Sequence, residues 1–208
     1  MFPRARPRQA SHARYSRRVA EQPQIAFESA EAWEAWLAEH HDKADGIWLK
    51  FAKKGTGARS VMYDEALEVA LCYGWIDGQS RRLDETWYLQ RFTPRRAQSV
   101  WSKRNREKVA ALIEAGRMQP AGLREIERAK ADSRWEAAYD GPATATVPDD
   151  LQAALDENPA AADFFARLDK QNRYAILHRV QTAVRPDTRA RRIAKLVEQL
   201  ARGEKLYP

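Results

Sequence analysis

The sequence predicts an α+β fold, a small antiparallel sheet with helices followed by an all-helical C-terminal half. Three observations lead to this expectation. Residues 47–53 place Ile47, Leu49 and Phe51 on one side, the pattern of a half-buried strand, and residues 76–82 and 86–92 read as two further strands joined by a turn. Apolar stripes at helical spacing lie between and after them. Past residues 141–148, a Gly- and Pro-bounded linker by composition, every apolar pattern is helical.

The elements follow in order. Residues 25–27 form a short candidate strand. Ser29 caps a first helix, with Glu31 and Glu34 in its early turns and an apolar face of Trp33, Trp36 and Leu37. In the strand over 47–53, Ile47, Leu49 and Phe51 face one side, and Trp48 and Lys50 the other. Lys53-Lys54-Gly55-Thr56-Gly57 is a glycine-containing loop, too short and wrongly ordered for a phosphate-cradling Walker loop. The second helix, over 64–73, carries the stripe Leu67, Ala70 and Leu71, and Gly74 is placed to stop it.

The next two strands turn at Leu83-Asp84-Glu85. Trp87, Leu89 and Arg91 share one face, Tyr88, Gln90 and Phe92 the other, and Pro94 terminates the pair. Ser102 caps a helix through Ala115, with Val109, Leu112 and Ile113 as its stripe and Gly116 as its stop. Another helix covers 120–131. In the helical half, Phe164, Phe165 and Leu168 make one stripe and Tyr174, Ile176, Leu177 and Val180 the next. Ile193, Leu196, Val197 and Leu200 make the last, closed by Gly203. The expected organisation is a disordered basic tail over 1–24, an α+β core over 25–140, and a helical region over 149–208 packed on that core.

The net charge of +7 is unevenly placed. Residues 1–24 hold six arginines and one glutamate, so the high pI is largely an effect of the tail. That tail is expected to bind nucleic-acid backbones without specificity. No apolar run reaches the roughly 18 residues of a membrane helix. The N-terminus lacks the apolar centre of a secretory signal, so a cytoplasmic protein without a membrane span is expected. One cysteine, Cys72, excludes an internal disulfide and fits a reducing compartment. It reads as a small core residue. The histidines His12, His40, His41 and His178 form no metal-ligand or nucleophile-base spacing, and neither a metal nor a cofactor is expected.

The unusual residues concentrate between Cys72 and Arg106. Residues 81–108 hold nine basic residues and three acids, interleaved with Trp87, Tyr88, Phe92 and Trp101. A helix starting at Ser102 points free N–H groups and a partial positive charge at its N-terminus, yet Lys103, Arg104 and Arg106 fill its first turns. Such a choice requires a carboxylate or an anion nearby. Arg91, Arg95 and Arg96 would be the anion contacts, Ser102, Lys103 and Asn105 the helix-end polar groups, Trp75 and Trp101 the walls, and Asp77 an orienting carboxylate for Arg81 or Arg91. Each has a bland counterpart. Trp75 packs in a core, Gly78 marks a bulge, and the basic loop pairs its charges with the mildly acidic remainder of the body. The aromatics interleaved with arginine offer a rival reading as a base-stacking surface. The C-terminal group Arg189, Arg191, Arg192 and Lys195 reads as a solvated face, or as arginines that fold back on the cleft of Arg95.

Cys72-Tyr73-Gly74-Trp75-Ile76-Asp77-Gly78, Arg91-Phe92-Thr93-Pro94-Arg95, Ser99, Trp101-Ser102, Asn105, Gly116 and Met118 together resemble the YdeI/OmpD-associated family, whose members are labelled bacteriocin-protection proteins. The segment from Arg185 to Ile193 is similar to that family's closing helix, and the resemblance spans roughly 25–205. It implies a role in resistance to cationic antimicrobial peptides and an association with an outer-membrane porin. It brings no catalytic residues. A basic protein repels cationic peptides, so the resemblance implies indirect protection. The expectation is a non-enzymatic binding or stress-protection protein that recognises an anionic small molecule or an acidic protein partner. The alternatives are an enzyme on a phosphate- or carboxylate-bearing substrate, with Asp77 as acid–base group, and a nucleic-acid binder.

Overall fold

The structure, a computed structural model, describes residues 22–208. The tail expected over 1–24 therefore lies outside the described residues for its first 21 positions, while Gln24 already belongs to the sheet. The first half contains β1 (Gln24–Ile25), α1 (Ala30–His40), β2 (Ile47–Ala52), α2 (Tyr63–Cys72), β3 (Trp75–Arg82), β4 (Trp87–Pro94), α3 (Lys103–Glu114) and α4 (Pro120–Ala131). The second half is helical: α5 (Asp149–Asp156), α6 (Pro159–Ala166), α7 (Lys170–Gln181) and α8 (Pro186–Ala201). The expected α+β architecture is thus present.

The sheet has the order β1-β2-β4-β3. Strands β2, β4 and β3 pair antiparallel, as expected. The short edge strand β1 pairs parallel to β2, because α1 carries the chain back across one face between them. Alternation sets the two faces. Ile47, Leu49 and Phe51 are buried, and across from Ile47 stands Phe92. Trp33 and Leu37 from α1 and Leu67, Ala70 and Leu71 from α2 complete this first core. The Trp33 indole N–H donates to Ala66 O at 3.1 Å, so this fully buried side chain leaves no polar atom orphaned.

Two glycines hold the site region in place. Gly74 takes φ of +74°, ends α2 and lets the chain enter β3, with Ala121 O so close that a Cβ would stand 3.0 Å from it. Gly78 sits in the register shift between Asp77 and Ser80, the bulge anticipated there, and its carbonyl accepts from Gln90 Nε2 at 2.8 Å. The second core is separate and lies among α5–α8, around Leu151, Leu155, Phe165, Ile176, Val180, Leu196 and Leu200. Among the described residues no helix is long and apolar enough to cross a membrane.

Candidate functional site

The residues expected to form one anion pocket occupy several environments. Trp75 is 1% exposed, its indole N–H donates to His41 O at 3.1 Å, and its ring stands edge-on to Trp33 and Trp36. That is a core position, the placement that the bland reading of Trp75 describes. Arg91 lies on the other face of the sheet, where Nε donates to Gln22 Oε1 at 2.8 Å. Asp77 stands opposite Phe92, on the helix-covered face. It therefore orients neither expected arginine: Arg81 lies over the Trp48 ring at 4.3 Å, and Asp77 instead accepts from the Tyr63 hydroxyl at 2.8 Å. Burial, then Asp77, pushes the Tyr63 hydroxyl well above its ordinary pKa.

The cations at the start of α3 find protein carboxylates. Lys103 pairs with Asp140 at 2.7 Å, Arg104 with Asp64 at 2.5 Å, and Lys108 with Glu68 at 2.8 Å. Arg106 donates to Trp135 O at 2.9 Å. The cap itself is used locally, since Ser102 Oγ accepts from Asn105 N at 3.1 Å and Asn105 is buried. The negative charge that this basic helix start requires is thus supplied from within the chain, by Asp140, Asp64 and Glu68. Arg96 is exposed, and its backbone N–H donates to Ser99 Oγ. The aromatics of the rival base-stacking reading are divided too. Phe92 and Trp101 are buried, Tyr88 stacks on Phe51, and Trp87 lies on the outer face beneath Lys50.

Arg95 differs from all of these. Pro94 ends β4, and the Arg95 N–H donates to Gly74 O at 3.0 Å, which turns the side chain inward. Its guanidinium lies 3.6 Å from the centre of the Trp101 ring. The residue is only 6% exposed. Nη1 donates to Val100 O at 3.3 Å, while Nε and Nη2 are buried with no partner among the described residues. Burial pushes its pKa down to about 10, against the pull of Tyr139, Glu125 and Asp77. An unmet buried donor costs about 1–3 kcal/mol, more for a charged group. Tyr63 and Tyr139 also belong to this neighbourhood and had no signal in the sequence. Tyr139 reaches it by pairing its backbone with Trp101 and Lys103 across a long separation in the chain.

Two clefts lie elsewhere. One of about 1050 Å³ runs along the glycine loop, lined by Phe51, Tyr63 and Tyr88 with Lys53, Lys54 and Arg59. A second, of about 610 Å³, lies against α7 and includes Tyr139. Arg95 lines neither. His40 and His41 turn their Nδ1 atoms to the carbonyls of Trp36 and Leu37, and burial raises the Cys72 thiol to about 11, so all three behave as structural groups.

Residues 144–203 match the family model described as Bacteriocin-protection, YdeI or OmpD-Associated. Residues 25–125 match a different model, Domain of unknown function (DUF8412). The resemblance read over 25–205 is therefore matched by that family in the helical half, and the motifs between Cys72 and Gly116 fall in the segment of the second model. Neither the curated proteins nor the solved structures contain a match.

Proposed function

We propose, for a chain whose C-terminal half carries a YdeI/OmpD-associated domain, a non-enzymatic role in protection, exercised by binding a small anion at Arg95. The observation that carries this reading is the Arg95 guanidinium, buried against Trp101 with Nε and Nη2 unpartnered. A carboxylate or phosphate oxygen pair fits the Nε–Nη2 edge in fork geometry. An anion there removes the desolvation cost that the unliganded arginine carries. The enclosure favours a small molecule over an acidic protein partner, because the exposed cations of α3 that a partner would meet are already paired. Protection against a cationic peptide is then indirect, through the metabolite or signal that the anion represents.

The test is thermal unfolding of the full chain in phosphate, acetate and citrate against chloride at matched ionic strength, with Arg95→Met beside it. An anion at about a hundred times its dissociation constant adds about 2.7 kcal/mol. The expected result is a larger stabilisation of the wild type than of Arg95→Met. Equal stabilisation of both proteins, or of neither, removes the reading and leaves Arg95 as a packing residue.

A further inference from the structure

We infer that the helical half holds a second binding site, for a small anion that carries a flat ring, where two clefts meet at His178 and Arg179. The first cleft, about 610 Å³, is walled by Tyr139, Tyr174 and Tyr207. The second, about 540 Å³, is walled by Arg192, Lys195 and Thr182. His178 and Arg179 line both, and each volume falls within the roughly 300–1,000 Å³ of small-molecule sites.

The charge of the walls decides the ligand's sign. No acidic residue lines either cleft, while Lys170, Arg179, Arg192 and Lys195 all do. Among the described residues none of these four is ion-paired. Their neighbours on α8 and at its end are treated differently: Arg189 is paired with Asp150, Arg191 with Asp187, and Arg202 with Glu198 and Glu204. A helix that pairs its outward cations and leaves the cleft-facing ones unpaired focuses a positive potential into the cleft. Arg179 Nη1 is in addition buried without a partner. Arg192 is already positioned, because Nη1 donates to Arg179 O at 2.9 Å.

The other end is shaped for a ring. His178 stands edge-on to Tyr139 at 4.5 Å between centres and tilts against Tyr174 at 5.8 Å. This wall is pinned: the Tyr174 hydroxyl donates to Asp140 O at 3.1 Å, and Gln181 brackets Asp140 by accepting from its N–H and donating to its carboxylate, both at 3.0 Å. Flat aromatic surfaces at one end and guanidinium and ammonium groups at the other match an aromatic phosphate such as a nucleoside monophosphate. The cleft walls do not include Arg95, so this site stands independently of the one proposed above.

The test is calorimetric titration of the full chain with adenosine 5′-monophosphate, with adenosine and inorganic phosphate as probes of the two ends. The nucleotide is expected to bind at least about tenfold tighter than either half. Lys195→Ala, which removes a charge that makes no hydrogen bond among the described residues, and Arg192→Gln are each expected to weaken it by about tenfold, and Arg95→Met to leave it unchanged. The inference is overturned if the nucleotide fails to saturate below about 10 mM. It is equally overturned if the nucleotide binds no better than phosphate, if Lys195→Ala binds as the wild type does, or if binding disappears in Arg95→Met.

Discussion

Arg95 and Arg104 are nine residues apart and chemically identical, yet one is buried with unmet donors and the other sits on the surface beside Asp64. The difference comes from the backbone. Arg95 follows a strand-ending proline and hydrogen-bonds to the Gly74 carbonyl, whereas Arg104 occupies the outer side of a helix. His178 shows the same dependence on surroundings. Burial, then Arg179 and Arg192, hold its imidazole below the ordinary 6.5, with Tyr139 and Tyr174 as its ring neighbours. Because the folded value is the lower one, the unfolded chain takes up a proton first as pH falls. Stability is therefore complete above about pH 6.5 and declines as pH drops toward the folded value. Urea midpoints between about pH 5 and 8 are expected to show this decline in the wild type and a flatter profile in His178→Gln. Parallel profiles would mean that His178 titrates alike in both states.

At the scale of elements, α4 fixes the end of α2 and with it the turn into β3. Gly122 on α4 meets that end so closely that a Cβ would stand 2.3 Å from Cys72 O and 2.8 Å from Leu71 O. Both contacts are backbone, so they cannot swing aside. Gly122→Ala, which elsewhere in a helix would be stabilising, is here expected to destabilise by about 1–3 kcal/mol through overpacking. Chemical denaturation decides it, and a gain in stability would show that α4 shifts freely. The α3 helix illustrates how an element's own charge is resolved by others. Its basic first two turns are answered by Asp64 and Glu68 from α2 and by Asp140 from the segment before the linker, which moves the proposed anion contact from the helix N-terminus to Arg95.

The whole molecule contains two apolar cores with no residue in common, one around the sheet and one among α5–α8. Polar and aromatic contacts join them at Tyr139 and Asp140, through His178, Tyr174, Gln181 and Lys103. All seven tryptophans precede the linker, and Trp135, beyond α4, packs against the first core. Indole fluorescence therefore follows one core, and helical circular dichroism follows both. Leu155→Ala, a buried truncation in the second core, is expected to cost about 2–5 kcal/mol there. The circular-dichroism transition should move to lower temperature while the fluorescence transition stays in place. Coincident shifts would instead establish a single cooperative unit.

Local rules were enough for much of this protein. Period-two alternation located β2 and the two faces of β4, helical stripes located α1 through α3, Ser29 and Ser102 were legible as caps, and Gly74 and Gly78 as a helix stop and a bulge. These features are written in backbone geometry and in residues a few positions apart, which sequence displays directly. The family resemblance of the helical half was legible in the same way, from an ordered run of residues. The parallel placement of β1 and the fate of each charge needed the tertiary structure. Asp64 reaches Arg104 across 40 positions, Tyr139 arrives beside Trp101 from beyond α4, and Arg179 and Arg192 come together from different helices. A cation's role depends on burial and on which carboxylate folding delivers to it. Neither quantity has a period, a spacing or a composition, so only the folded chain could separate Arg95 from the paired cations around it.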